Sequence, residues 1–430
     1  MVTKELLKQL IVSFQSTLPA SVISRETKIP LHTGKIITLP GVRRCGKSSI
    51  FLLTINELLE QDIQKERILY INFDDERLIF EPGETDKILE AYRELFPEIP
   101  FSEVYVFFDE IQELDNWAKF VRRVYDQETK QVFITGSNAK LLSSELATSL
   151  RGRTLQYEIF PLSFSEFCLF KNIDTNYYDV RQKAHIINAF SEYLNDGGFP
   201  EIALCEPQLK LPVLQDYYFT MIYKDLVERY QIRNVNNVKY FNRRVLTNAT
   251  KPTSINKIVN EIRSQNQKFS KDFGYELITQ TEAIYLFLPL TKYDTSYVKE
   301  VQSVKKYYSI DTGFFGALLP STNMNKGVLL ENALFLHLRR QETHVRRLHF
   351  LDDANSHCDF VWVENGEITQ AIQVAWDISD PKTFQREISA FEKLKCDNCL
   401  LITSEAEQEI NEFGKTIHIV PAWKLLLSQP

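Results

Sequence analysis

The chain has 430 residues, 44% hydrophobic and 25% charged, an ordinary globular composition with room for two or three domains. A net charge of −7 argues against a protein that coats nucleic acid over its whole surface. There is no apolar run of about eighteen residues to predict a membrane span, and the first residues lack the apolar core of a signal peptide. Six cysteines are scattered at positions 45, 168, 205, 358, 396 and 399, a pattern that predicts reduced thiols and a cytoplasmic protein. Cys396 and Cys399 form a lone C-x-x-C, and no second pair completes a tetrahedral zinc site.

In chain order, Lys4 to about Gln15 reads as a helix, followed by a linker. Lys35–Leu39 is a short apolar run that reads as a buried strand. It leads into Gly41-Val-Arg-Arg-Cys-Gly-Lys-Ser-Ser49, which fits the phosphate-binding pattern G-x-x-x-x-G-K-[ST]. Ile50–Leu53, with Leu58 and Leu59, carries helical spacing directly after it. Strand, glycine loop and helix are the context such a loop needs. Glycines let backbone N–H groups wrap an anion at the helix start. Gly41, Arg44, Cys45, Gly46, Lys47, Ser48 and Ser49 are therefore the expected nucleotide-binding residues, with Lys47 on the β- and γ-phosphates and Ser48 on Mg²⁺.

A strand at 68–73 and a helix near 85–96 come next, then Val104–Phe108, an apolar run ending in Asp109-Glu110. A buried strand that delivers an Asp to a metal and a Glu beside it is the Walker B pattern. Asp109 is expected to hold Mg²⁺ and Glu110 to polarise the attacking water. Asp74-Asp75, at another strand end, reads as a solvated turn. Trp117, Phe120, Val121 and Val124 predict a helix over 116–126, and Gln131–Thr135 a further strand ending in Gly136-Ser137-Asn138. Alternating strands and helices predict a parallel sheet with helices on both faces and a ligand at the strands' carboxyl ends. Ser137 and Asn138 are candidates to bond a γ-phosphate or to cap a helix. Arg151-Gly-Arg153 follows a Ser/Thr-rich helical stretch, and either arginine could be a finger on transition-state charge or a solvated turn residue.

Gly-Val-Arg-Arg-Cys-Gly-Lys-Ser-Ser, Phe-Phe-Asp-Glu-Ile-Gln, Ile-Thr-Gly-Ser-Asn, Leu-Arg-Gly-Arg and Phe160-Pro-Leu-Ser-Phe-Ser-Glu-Phe167 occur in that order. Together they resemble the prokaryotic AAA+-like ATPases that carry a C-terminal domain of unknown function. The resemblance implies ATP and Mg²⁺ bound by Gly41–Ser49 and Asp109, with Glu110 as catalytic glutamate. It also implies Ser137 or Asn138 as sensor and Arg151 or Arg153 as finger, in cis or in trans.

Residues 224–271 hold eleven Lys and Arg against three acids, a local reversal of the chain's charge. Val238–Ala249 reads as one helix, Ser254 as the cap of a second with Ile255, Ile258, Val259 and Ile262 inward, and Ser270 as the cap of a third. Two β-like runs follow, Ile284–Leu288 and Lys306–Ile310. That is a winged-helix order, with Arg263, Lys268 and Lys271 as candidate DNA-phosphate contacts; the competing reading is a module that packs on protein.

Glu331 lies in an amphipathic helix, Asp359 begins a strand, Gly366 turns, and Ile368–Val374 returns. This order resembles the restriction-endonuclease-like fold. Its Glu-x-Lys position reads Gln373-Val-Ala375, an amide and a methyl where Mg²⁺ chemistry needs a carboxylate and an ammonium. Nuclease silence is the expectation; His357 beside Asp359 could supply a replacement ligand, but a lone His near a strand start reads first as a surface residue.

The expected organisation is an AAA+-like ATPase domain at 1–165, a helical and winged-helix-like domain at 166–315 and an inactive nuclease-like domain at 316–430. The expected function is an ATP hydrolase whose nucleotide state controls the later domains, on DNA or on an unidentified protein partner, with oligomers open. The alternatives are an ATP-sensing DNA-binding regulator with negligible turnover, or an active nuclease.

Overall fold

The computed structural model describes residues 2–137, 150, 152–265, 268–319, 325–353 and 356–428. They form two compact units, Met1–Phe160 with Ala283–Tyr285, and Pro161–Glu282 with Leu286–Pro430. Asn138, Arg151 and the helical stretch expected before Arg151 fall outside the described residues, apart from Leu150.

The first unit contains α1 (Lys4–Ser16), β1 (Ile36–Pro40), α2 (Lys47–Glu60), β2 (Ile68–Asn72), α3 (Asp86–Leu95), β3 (Tyr105–Asp109), α4 (Trp117–Gln127), β4 (Val132–Gly136) and β5 (Thr154–Gln156). The strands pair in parallel in the order β2-β3-β4-β1-β5. A parallel sheet is covered on both faces, so its strands are apolar throughout rather than alternating. β3 shows how this works. Val106 and Phe108 join a core with Leu7 and Ile11 of α1, Ile88 of α3 and Val121 of α4. Phe107 points the other way, stacking on Phe133 at 4.7 Å and meeting Phe51 of α2 edge-on at 5.2 Å. The expected P-loop sheet with helices on both faces is present. β5 was not anticipated, since Thr-Leu-Gln on a sheet edge carries no apolar signal.

The strand order builds the site. All carboxyl ends lie along one edge of the sheet, and β4 stands between β1 and β3. Thr135 and Ser137 are thereby set between the loop after β1 and the acids after β3.

The second unit begins with α5 (Phe164–Phe170), α6 (Val180–Asp196), α7 (Pro200–Leu204) and α8 (Pro207–Thr220). The basic middle follows as α9 (Val235–Thr247), α10 (Ile255–Ser264) and α11 (Lys271–Ala283). Ser254 and Ser270 accept backbone N–H bonds from Lys257 and Phe273, as capping residues do. α9 starts earlier than its apolar pattern suggested, because Asn234 caps it through the N–H of Asn237. β6 (Pro252–Thr253), β7 (Phe287–Leu290) and β8 (Lys305–Ser309) form an antiparallel sheet in the order β6-β8-β7. β7 begins later than expected: Tyr285 has φ +63°, which interrupts an extended chain. α12 (Tyr297–Gln302) lies in the β7–β8 connection.

After α13 (Gly313–Leu318) and α14 (Lys326–Arg340) comes a six-stranded sheet, ordered β13-β14-β12-β11-β10-β9. Its strands are β9 (Arg346–Asp352), β10 (His357–Glu364), β11 (Glu367–Val374), β12 (Cys399–Thr403), β13 (Gln408–Glu412) and β14 (Lys415–Pro421). β11, β12 and β14 are parallel, and the remaining pairs are antiparallel. The β10–β11 turn uses Asn365 and Gly366, both at positive φ, the backbone a tight hairpin requires. α15 (Pro381–Ser389) and α16 (Ala422–Leu427) complete the unit. No helix among the described residues is long and apolar enough to cross a membrane.

Candidate functional site

The loop after β1 is shaped by close packing as well as by glycine freedom. Gly41 bridges to Ile159, and a Cβ there would lie 2.2 Å from the Ile159 carbonyl oxygen. Arg44 and Gly46 take left-handed backbone, φ +63° and +97°. Such alternation turns successive N–H groups inward, the geometry of an anion nest. Gly46 offers the start of α2 no side-chain cap, so the first N–H groups of that helix stay available to a ligand. Ser48 is exposed and Ser49 half-buried at the same helix start.

Lys47 is 4% exposed. Its Nζ donates to the carbonyls of Gly41 and Val42, each at 3.1 Å, and lies 3.3 Å from Glu110 Oε1. Burial disfavours its charge most strongly, but Glu110, Cys45 and Asp109 together outweigh burial and the ammonium is held above its usual range. Glu110 answers in kind: burial pushes its carboxyl up, and Lys47, Gln112 and Arg43 together hold it below the usual range. Glu110 also adopts left-handed backbone, φ +49°, a strained conformation that clusters at functional sites.

Asp109 is fully buried at the end of β3. One carboxylate oxygen accepts from Tyr70 OH at 2.7 Å, and the other from the Thr135 hydroxyl. That Thr135 oxygen in turn accepts the Glu110 N–H at 2.9 Å. Gln112 Nε2 donates to Glu110 Oε2 at 2.6 Å and reaches Ser137 Oγ at 3.3 Å. Lys47, Asp109, Glu110 and Ser137, all named from sequence, are thus brought together. Asp75 is occupied by Arg77 at 2.6 Å, in keeping with a solvated turn.

Four residues of this site were not foreseen. Thr135 and Tyr70 fix the Asp109 carboxylate, and Gln112 fixes Glu110. Arg25, 7% exposed, donates to the Cys45 carbonyl at 2.8 Å and to the Phe160 carbonyl at 3.0 Å, clamping the loop from behind. A hydroxyl at the end of β4 was a readable signal for Thr135. Arg25 lies in a linker of no pattern and had none. Cys45 is buried, its thiol donating to Ile159 O at 3.4 Å and pushed up by burial, which makes it a packing residue beneath the loop.

Arg153 is not brought to this site. Its carbonyl accepts the Ile36 N–H, at the start of β1, whereas the loop leaves the far end of that strand. A five-residue strand spans about 15 Å. The guanidinium instead grips both carboxylate oxygens of Asp126, at 2.9 and 3.3 Å. Of the expected phosphate contacts in the middle segment, Lys268 and Lys271 are exposed, while Arg263 directs its Nε to the Phe269 carbonyl at 2.7 Å. Glu331 on α14 and Asp359 on β10 do meet; His357 is exposed, 3.8 Å from Asp359.

Residues 33–168 match the model of an AAA domain, and residues 187–325 that of a domain of unknown function (DUF8612). An uncharacterized protein of Methanocaldococcus jannaschii is 38% identical over 425 residues, covering 95% of this chain and 92% of that protein. An uncharacterized protein of Haemophilus influenzae is 30% identical over 351 residues, covering 81% and 84%. Among solved structures, a Walker-type ATPase of Pyrococcus abyssi aligns with TM-score 0.41 and 15% identity over 74% of this chain and 96% of that one. The chain belongs to the family of the Methanocaldococcus jannaschii protein, and its first unit carries an AAA domain on a P-loop ATPase sheet.

Proposed function

We propose that the protein binds ATP with Mg²⁺ and hydrolyses it, and that nucleotide state controls the second unit. The observation that carries this reading is the buried Lys47–Glu110 pair, 3.3 Å apart, beside Asp109. Lys47 is a charged donor held ready among carbonyls, and the β- and γ-phosphates are the partners able to draw it away from Glu110. Once released, Glu110 has Oε1 unpaired to take a proton from water, while Gln112 still holds Oε2. Ser48, exposed at the helix start, and Asp109, with a lone pair still free on each oxygen, fit a Mg²⁺ site, Asp109 acting through water because it is buried. The ion would neutralise phosphate charge. Ser137, which Gln112 reaches at 3.3 Å, would sense the γ-phosphate through it, with Asn138 beside it in sequence. Arg44, Cys45, Gly46 and Ser49 contribute loop backbone.

The test is a pair of variants. Lys47→Ala should lose tight nucleotide binding, and Glu110→Gln should keep binding while turnover falls by about a hundredfold or more, the scale of a lost general base. Equal hydrolysis by wild type and Glu110→Gln would refute the role of Glu110.

A second reading concerns DNA. Three helices followed by an antiparallel pair, with Lys268 and Lys271 exposed, support a winged-helix-like module that contacts duplex phosphate. In this reading the ATPase regulates a basic DNA-contacting module, and residues 316–430 serve as a nuclease-like domain without cleavage.

A further inference from the structure

The carboxylates that sequence order suggests for a metal are gripped by an ammonium from elsewhere in the chain. Lys306 lies on β8 and is 1% exposed. Its Nζ donates to Glu331 Oε1 and to Asp359 Oδ1, each at 3.1 Å, and rests 5.4 Å from the centre of the Phe350 ring. Several neighbouring groups add to this closure. Tyr308 OH donates to the same Glu331 oxygen at 2.8 Å. Asp359 Oδ2 accepts the Val374 N–H at 3.2 Å, and the Asp359 N–H donates to Gln373 Oε1 at 3.1 Å. Gln373 then donates to Glu387 Oε2 at 2.7 Å, and Arg386 neutralises Glu387 from outside.

We propose that Lys306 is a resident cation that takes the place of a divalent metal between Glu331 and Asp359, making a metal-free charge clamp that ties β8 to α14 and β10. A divalent ion needs several oxygen ligands and open positions for water or substrate. Here two carboxylates share one ammonium, and the amide of Gln373 is spent on the Asp359 N–H and on Glu387 Oε2. Among the described residues no group of three or more His, Cys, Asp or Glu is placed to hold a metal. Buried charge persists only where it is paired and hydrogen-bonded, and this cluster meets that condition without an ion. Gln373 and Ala375, which look like losses in the sequence, are the natural companions of a cation delivered from β8.

The clamp makes opposite predictions for wild type and for a chain without the ammonium. Mn²⁺ binding to the full chain, without nucleotide, is followed by electron paramagnetic resonance, alongside Tb³⁺ luminescence sensitised by Tyr308. Wild type and Asp359→Asn should bind the same number of Mn²⁺ ions. Lys306→Met should gain one further ion at least about tenfold tighter than any Asp359-dependent binding in wild type, since two uncompensated carboxylates are left facing each other. That ion should disappear in Lys306→Met/Asp359→Asn. A wild-type Mn²⁺ site, or Mn²⁺-dependent DNA cleavage, that Asp359→Asn abolishes would overturn the proposal. So would a folded Lys306→Met that gains no ion. If Lys306→Met does not fold, the comparison of wild type with Asp359→Asn still decides.

Discussion

Thr135 does two jobs at one oxygen, donating to Asp109 and accepting from the Glu110 N–H. Thr135→Val keeps the shape and removes both bonds. A buried polar group left without its partner costs about 1–3 kcal/mol, which as lost transition-state stabilisation is about five- to 150-fold in rate. Thr135→Val should therefore lower kcat by about ten- to a hundredfold while nucleotide affinity changes little. Steady-state ATPase assays with a separate nucleotide titration check this, and unchanged kcat would show that Asp109 and Glu110 are held well enough by Tyr70, Gln112 and Lys47. The residue scale also shows why motif reading stopped where it did. Lys47, Asp109 and Glu110 are specified by local pattern, because the loop and the strand end place them. Arg25 lies in a linker of no pattern, twenty residues before the carbonyl it holds, so only the folded backbone brings them together.

At the scale of elements, β5 decides the place of Arg153. By pairing Thr154 with Ile36 it carries Arg153 to the start of β1, away from this chain's own loop. The arginine's bond to Asp126 is partly exposed, and solvent screening leaves such pairs contributing little. Arg153→Ala should thus leave ATP turnover per chain unchanged at high dilution and shift stability little. Turnover that rises with protein concentration in wild type and not in Arg153→Ala would show the arginine acting on a neighbouring copy. The sequence placed β1 to β4, α1, α3 and α4 to within a residue or two and located α2 without its start, because continuous apolar runs and helical spacing are local signals. It missed β5 because an edge strand needs no apolar run, and it placed β7 too early because positive φ at Tyr285 has no signal in side-chain pattern.

At the scale of the whole molecule, an acidic chain carries a basic stretch, and DNA contact should appear as salt dependence rather than as strong affinity. Each phosphate neutralised contributes a slope of about −0.9 to log affinity against log salt. Replacing Lys268 and Lys271 by Glu in the full chain should make that slope shallower by about 2 and weaken binding alike on every duplex sequence. Fluorescence anisotropy at several salt concentrations measures both, and an unchanged slope would favour a protein-packing role for the module. Sequence alone determined that this chain has a P-loop sheet, a Walker B acid pair and an AAA-type first part, because each is written in contiguous residues whose backbone geometry is local. Tertiary structure alone decided that Thr135 holds the acids, that Arg25 holds the loop, and that Lys306 stands between Glu331 and Asp359. Those partners lie 20 to 53 residues apart along the chain, and hydrogen bonds at such separations depend on sheet order and strand register, which no local pattern encodes.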